Sequence, residues 1–279
     1  MPKEIPLRIP EPITGVDGWI ILAIDPSLSR SGYAVMKVLR GENGTVAAWL
    51  AAGSTKPDAV TNGLHPDRTI WIRTKVQSLY IKSVLEREVF KLQAEGIDTQ
   101  KMGLIFALEA PPPRNDYLAS IHRAVHTALF DGTFVATNFQ QTRVLYINAA
   151  TLRSLMHLTQ KGSRNKGENI AKAYEFINKQ EYPELDTDSC DAVLVAMTAR
   201  YAASIAMGFS NEVPQNFLNS FCNATQEMKS EGTSRQRLVT KGIFHRNEYW
   251  YMYARQGYNV CVKDATIPKK TLSRVEFFI

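Results

Sequence analysis

An α/β fold is predicted for this 279-residue chain, and three observations predict it. Two apolar runs each end on an acid: residues 19–25 (WIILAID) and residues 102–108 (MGLIFAL), the latter followed by Glu109. Between them, residues 67–95 repeat their apolar side chains at helical spacing. A third acidic group, Asp186, Asp188 and Asp191, opens the apolar stretch DTDSCDAVLVAMTARYAASIA, which reads as a helix. Taken in order the elements through residue 158 run βββαβαβα, and that acidic helix follows them.

Trp19, Ile20, Ile21, Leu22, Ala23 and Ile24 form a run that is stable only inside a sheet. Pro26 cannot donate the next ladder hydrogen bond, and Ser27, Ser29, Ser31 and Gly32 supply turn chemistry before a second strand over residues 33–39. GENG at 41–44 marks a hairpin turn, and residues 45–52 make a third strand. The loop GSTKPDAVTNGLHP follows. In the helix over 67–95, Ile72, Val76, Leu79 and Tyr80 recur at helical spacing until Gly96. Residues 102–108 are again a buried strand, cut off by Glu109 and PPPRND. Residues 117–130 are helical by pattern, 143–147 a strand and 149–158 a helix. The basic loop TQKGSRNKGEN at 159–169 then runs into a helix over 170–178.

With 44% hydrophobic and 22% charged residues, the chain can bury a full core without a staple. Cys190, Cys222 and Cys261 are far apart and form no C-x-x-C pair, so neither a disulfide framework nor a zinc ribbon is expected, and an intracellular, reducing setting (cytoplasmic) fits. The opening MPKEIPLRIPEP has no apolar core of a secretory signal, and no run approaches the ~18 apolar residues of a membrane span. The net charge of +6 points weakly to a polyanionic partner; residues 209–279 hold 10 Lys and Arg against 6 Asp and Glu, so most of the excess lies there.

Asp188 and Asp191 stand three positions apart on a helix, roughly 60° around the axis, and share a face. Acids in a first turn also cap a helix and complement its dipole, a sufficient account of Asp186 and Asp188 taken alone. Asp191 runs straight into Ala192, Val193 and Leu194, too deep for a cap. Asp25, Glu109, Asp188 and Asp191 each border apolar sequence. Carboxylates clustered in such surroundings raise one another's pKa unless a cation sits among them. Hard oxygen donors favour Mg²⁺, with Mn²⁺ as the alternative, and two ions ~4 Å apart suit phosphodiester cleavage.

The ordered set IDPSLSRSGYAV, FALEAP and DSCDAVLVAMTARYA resembles the RuvC family of Holliday junction resolvases, in the RNase H-like superfamily. LYINAATLRSLMHLTQKGSRNKGENIAKAY is similar to the family stretch of strand, short helix, basic loop and lysine-bearing helix. The resemblance covers residues 18–208. It implies an RNase H-like (RuvC-type) five-stranded mixed sheet flanked by helices, a homodimer, two Mg²⁺ ions per active site, and paired symmetric nicks across a four-way DNA junction. Asp25, Glu109, Asp188 and Asp191 would be the metal ligands, and Lys166 would engage the scissile phosphate. Arg153 is a looser match to another basic position, the spacing differing by a couple of residues.

Residues 1–17 form a Pro-rich arm and residues 209–279 a basic, aromatic extension beyond the resemblance. In the extension NEYWYMYARQGYNVCVKDA alternates around a Gly turn like a hairpin, giving either a small β-rich appendage or a strand added to the main sheet. Where family members carry an aromatic after the second acid, this chain has Ala110, Pro111, Pro112, Pro113 and Arg114, and its first aromatic is Tyr117. Arg114 and Tyr117 are candidate DNA contacts, Tyr117 with a competing reading as core. Lys161 and Arg164, beside Gly162 and Ser163, suit phosphate contacts, or are a solvated loop. His122 and His126 have the i, i+4 spacing of zinc ligands without a third partner, and read as helix surface. The expected function is a metal-dependent endonuclease resolving four-way junctions. The alternatives are a nuclease acting on forks, flaps or RNA-containing substrates, and a noncatalytic nucleic-acid-binding protein on the same fold. A phage or viral source is left open.

Overall fold

The computed structural model describes residues 12–27, 29–55, 66–109, 127, 133–147, 149–158, 166–222, 226–228, 237–239, 242–246 and 249–253. Strand β1 (Gly18–Asp25) has no polar side before its last residue, so it can only be central, and residues 19–24 are completely buried. It pairs antiparallel with β2 (Gly32–Arg40), which pairs antiparallel with β3 (Thr45–Ser54). On its other side it runs parallel to β4 (Met102–Glu109), and β4 runs parallel to β5 (Gln141–Ile147). The order β3-β2-β1-β4-β5 is the five-stranded mixed sheet that was expected.

Alternation along β1 divides the core in two. Trp19, Ile21 and Ala23 face one layer, together with Ile105 and Ala107 of β4 and the apolar residues of a helix over Thr187–Ala206. Ile20, Leu22 and Ile24 face the opposite layer with Leu104, Phe106 and Leu108, under the long helix α1 (Pro66–Ala94). The first layer also holds α3 (Ala149–Leu155) and α4 (Lys166–Ala173), while the short α2 (Thr133–Asn138) precedes β5. The helix Thr187–Ala206 is accordingly α5, and α6 is Gln215–Cys222. Among the described residues no helix is long and apolar enough to cross a membrane.

The buried stripe of α1 differs from the one its apolar spacing suggests. Val76, Leu79 and Tyr80 are about half exposed, while Thr74, Gln77, Ser78, Ile81, Leu85, Glu88 and Leu92 are buried. The polar members of that stripe bring their own partners: Thr74 Oγ1 donates to the Ile70 carbonyl at 2.8 Å, Ser78 Oγ to the Thr74 carbonyl at 2.7 Å, and Glu88 accepts from Arg87 and Lys91. Satisfied in this way, they are buried at little cost, which hydrophobic periodicity does not register.

Two helix ends also differ from expectation. α3 stops at Leu155 because His157 adopts a left-handed backbone (φ 56°), a common helix terminator, and Asn216 Nδ2 donates to the freed Leu155 carbonyl at 3.1 Å. α4 begins at Lys166, four residues before the expected start and ahead of Glu168, an acid suited to a helix N-terminus. The expected helix over 117–130 lies outside the described residues apart from Thr127.

Beyond residue 208 the chain stays with the same core, where Val213, Phe217 and Leu218 are buried in the α5 layer. Strands β6 (Gln226–Met228) and β7 (Arg237–Val239) pair with each other, but β8 (Gly242–Arg246) and β9 (Tyr249–Tyr253) join the main sheet. β9 runs parallel to β5 and antiparallel to β8, which makes the sheet seven-stranded. Of the two arrangements weighed from the sequence, β8 and β9 take the added-strand form, while the turn expected at Gly257 lies outside the described residues.

Candidate active site

The alternation that sorts the core also aims the acids. Asp25 continues the face of Ile21 and Ala23, and Glu109 that of Ile105 and Ala107, so both carboxylates point to the α5 layer. Ile24 is in register with Leu108, so Asp25 and Glu109 are the next residues on neighbouring parallel strands, ~4.8 Å apart by ordinary sheet spacing. Both remain partly open to solvent at the strand mouths.

Gly32 brings the helix to them. It pairs with Asp25 across β1 and β2, and a Cβ built on it would lie 1.8 Å from the Asp188 carbonyl oxygen. Its φ is not positive, so the glycine serves close backbone approach and not turn freedom. The first turn of α5, with Asp188 and one turn later Asp191, is thereby set against the end of β1.

Hydrogen bonds hold this junction from both sides. Asp186 caps α5: its Oδ1 accepts from Ser189 N at 2.9 Å and Ser189 Oγ at 2.6 Å, its Oδ2 from Arg30 Nη1 at 2.8 Å and Ser54 Oγ at 2.6 Å. Burial pushes its pKa up, but these bonds outweigh burial and bring it to about 2. Behind the loop after Asp25, Ser31 N donates to Thr55 Oγ1 at 2.9 Å, Thr55 Oγ1 to Gln77 Oε1 at 2.7 Å, and Gln77 Nε2 to the Ser27 carbonyl at 3.2 Å. Ser31, Thr55 and Gln77 are all buried, so α1 braces the loop from the opposite layer.

Electrostatics mark the four acids as one group. Burial raises Asp25 well above the usual carboxylate range, and the charges of Glu109, Asp191 and Asp188 raise it further. Glu109 is pushed up to about 7 by burial and by Asp191, with Arg153 of α3 pulling the other way. Carboxylates this uncomfortable are relieved by a cation, and four oxygen-donor side chains suit a hard divalent ion such as Mg²⁺. Among the described residues no three Asp, Glu, His or Cys side chains stand close enough to hold an ion as they lie.

Of the basic residues expected from the sequence, Lys166 is the first residue of α4 and Arg153 lies within electrostatic reach of Glu109. Arg114, Tyr117, Lys161 and Arg164, with His122 and His126, lie outside the described residues. Sequence reasoning missed four contributors: Gly32 as a spacer, Arg30 on the Asp186 cap, the Thr55–Gln77 brace, and Asn169. Asn169 Nδ2 donates to Asp191 Oδ1 at 2.6 Å. Its place three positions after Lys166 was the only signal available. A cavity of about 780 Å³, lined in part by Asp17, Arg40, Lys101 and Gln140, lies at the opposite end of the strands from the acids and has no part in this site.

No protein-family model matches the chain, and no curated protein matches it. Solved structures do. Thermus thermophilus RuvC is similar at 16% identity and a TM-score of 0.40, over 68% of this chain and 97% of that one. A fowlpox virus resolvase in complex with Holliday junction DNA is similar at 15% identity and a TM-score of 0.34, over 66% and 97%. The yeast mitochondrial resolvase Ydc2 is similar at 12% identity and a TM-score of 0.36, over 76% and 85%. These neighbours are Holliday junction resolvases.

Proposed function

We propose that this chain is a Mg²⁺-dependent endonuclease that resolves four-way DNA junctions by paired symmetric nicks. The observation that supports the reading is that Asp25, at a strand end, feels the charges of Glu109 on the neighbouring strand and of Asp188 and Asp191 on one helical turn, and that Glu109 feels Asp191 as well. The sequence motifs that resemble the RuvC family supply the substrate class, and the net charge of +6 suits a polyanion.

The four acids would hold the metal, which when bound supplies Lewis acidity and an activated water. Asp25 and Glu109, fixed by sheet register, set one side of the site, while Asp188 and Asp191 set the other from α5. Arg153 offsets the negative charge at Glu109, and Lys166, the first residue of α4, would engage the scissile phosphate. Arg114, Tyr117, Lys161 and Arg164 would extend contact along the DNA arms. Symmetric incision requires two active centres, so the active form would be a homodimer.

The test is cleavage of a synthetic four-way junction with Mg²⁺ beside fork, flap, duplex and RNA–DNA hybrid controls. Paired nicks at symmetric positions are expected on the junction alone, and Asp25→Asn should abolish them while junction binding persists. Unchanged turnover by Asp25→Asn, or equal cutting of plain duplex, would overturn the reading.

A further inference from the structure

We infer that Asn169 is a positioning residue for Asp191. The inference rests on the nuclease reading above and deepens it. Asn169 Nδ2 donates to Asp191 Oδ1 at 2.6 Å, across the packed faces of α4 and α5. The orientation of the amide is fixed by its chemistry, since turning it over would set its carbonyl oxygen against a carboxylate oxygen at the same distance, acceptor against acceptor. The other end of the amide is the informative part. Asn169 Oδ1 is buried and, among the described residues, has no hydrogen-bond partner. A buried polar atom without a partner is costly, and an asparagine placed only for stability would be expected to satisfy both ends or to give way to an apolar residue.

The backbone around Asn169 is firmly held. Ala173, one turn later, is fully buried in the α5 layer, and Ile170 packs against that layer. The amide is thus carried by a fixed element and can hold one Asp191 oxygen in a single orientation. Through Asp191 it also acts on Asp25 and Glu109, both of which feel the Asp191 charge. Its remaining carbonyl is an acceptor left for a hydrogen donor that arrives with the ion or the DNA. Bonds of this kind, made to the ligand and not to the ion, typically change metal affinity or activity by about 10–100-fold.

The experiment compares wild type, Asn169→Ala, Asn169→Leu and Asn169→Gln in three measurements. Mn²⁺ affinity is read by electron paramagnetic resonance without DNA, single-turnover junction cleavage at saturating protein gives the rate, and thermal melting without metal gives stability. Leucine keeps the branching of asparagine at Cγ, in a somewhat larger side chain, and removes both polar ends. Its melting temperature should equal or exceed that of wild type, while Mn²⁺ affinity and rate both fall by about 10-fold or more and junction affinity is unchanged. Glutamine, which keeps the donor, should recover part of the loss. Wild-type Mn²⁺ affinity and rate in both the alanine and the leucine variants would overturn the inference. So would variants that only melt earlier. If wild type itself neither binds Mn²⁺ nor cuts the junction, the nuclease reading fails first and this inference falls with it.

Discussion

Gly32→Ala tests the closest contact in the site. The new Cβ would sit 1.8 Å from the Asp188 carbonyl oxygen, 2.2 Å from its carbon and 2.8 Å from Ser189 N. All three are backbone atoms in the first turn of a 20-residue helix whose cap is held by Arg30, Ser54 and Ser189, so no side chain can swing aside. Reaching even a 3.0 Å contact requires the helix start and β2 to part by about 1.2 Å. Overpacking of this kind costs roughly 1–3 kcal/mol, and a ~1 Å misplacement of reacting groups costs on the order of 100-fold in rate. The substitution should therefore lower the urea midpoint and slow single-turnover junction cleavage about 100-fold in the folded fraction. Gly103→Ala is the matched control. Its Cβ would lie 2.3 Å from the Trp19 ring, at the far end of β4 from Glu109, so it should destabilise while leaving the rate of folded protein unchanged. If Gly32→Ala melts within about 0.5 kcal/mol of wild type and cleaves within threefold, the argument that this glycine sets the spacing of Asp25 and Asp188 is refuted.

Two pH-dependent outcomes follow from the carboxylates. Asp186 has its folded pKa held at about 2, below its ordinary value, so its contribution is present above about pH 4 and is lost as pH falls through about 2. Asp186→Asn should destabilise by about 1–2 kcal/mol at pH 7 in chemical denaturation, and the gap to wild type should close on acidification over that window. Glu109 behaves oppositely. Its folded pKa of about 7 exceeds the unfolded value of 4.5, so metal-free protein loses stability as pH rises from about 4.5 to about 7 and no further above it. Glu109→Gln should stabilise metal-free protein at pH 8 by up to about 3 kcal/mol, do little at pH 4.5, and remove any Mg²⁺-induced rise in melting temperature. A wild-type Mg²⁺ response in that variant would exclude Glu109 from the metal site.

What the sequence disclosed was whatever packing alone could not explain. An apolar run that ends on a carboxylate, as at Asp25 and again at Glu109, has no reason to exist in a core, and that incongruity located two of the four acids. Asp191 was legible for the same reason, being too deep in α5 to cap it, and Asp186 was legible as a cap because it precedes the apolar run. Features that depend on tertiary satisfaction were not legible. The buried face of α1 hides behind Thr74, Gln77 and Ser78, whose hydrogen bonds make burial cheap only once the fold exists. The Asn169–Asp191 bond joins residues 22 positions apart through helix packing, with no local pattern to announce it. Gly32 looked like turn chemistry because a sequence shows the missing side chain but not the backbone that fills its place. The hairpin at β8 and β9 was visible as alternation, yet alternation cannot say which neighbour a strand will pair with.

The pairing of β9 with β5 has a practical bearing on where this protein can be divided. A fragment cut at residue 208, where the motifs end, would strip β5 of its outer partner and leave the main-chain donors and acceptors of residues 144–147 facing water. A bare, straight strand of that sort recruits whatever strand it meets, including those of identical molecules. Shortened versions that retain every acid would then clump for reasons unrelated to catalysis.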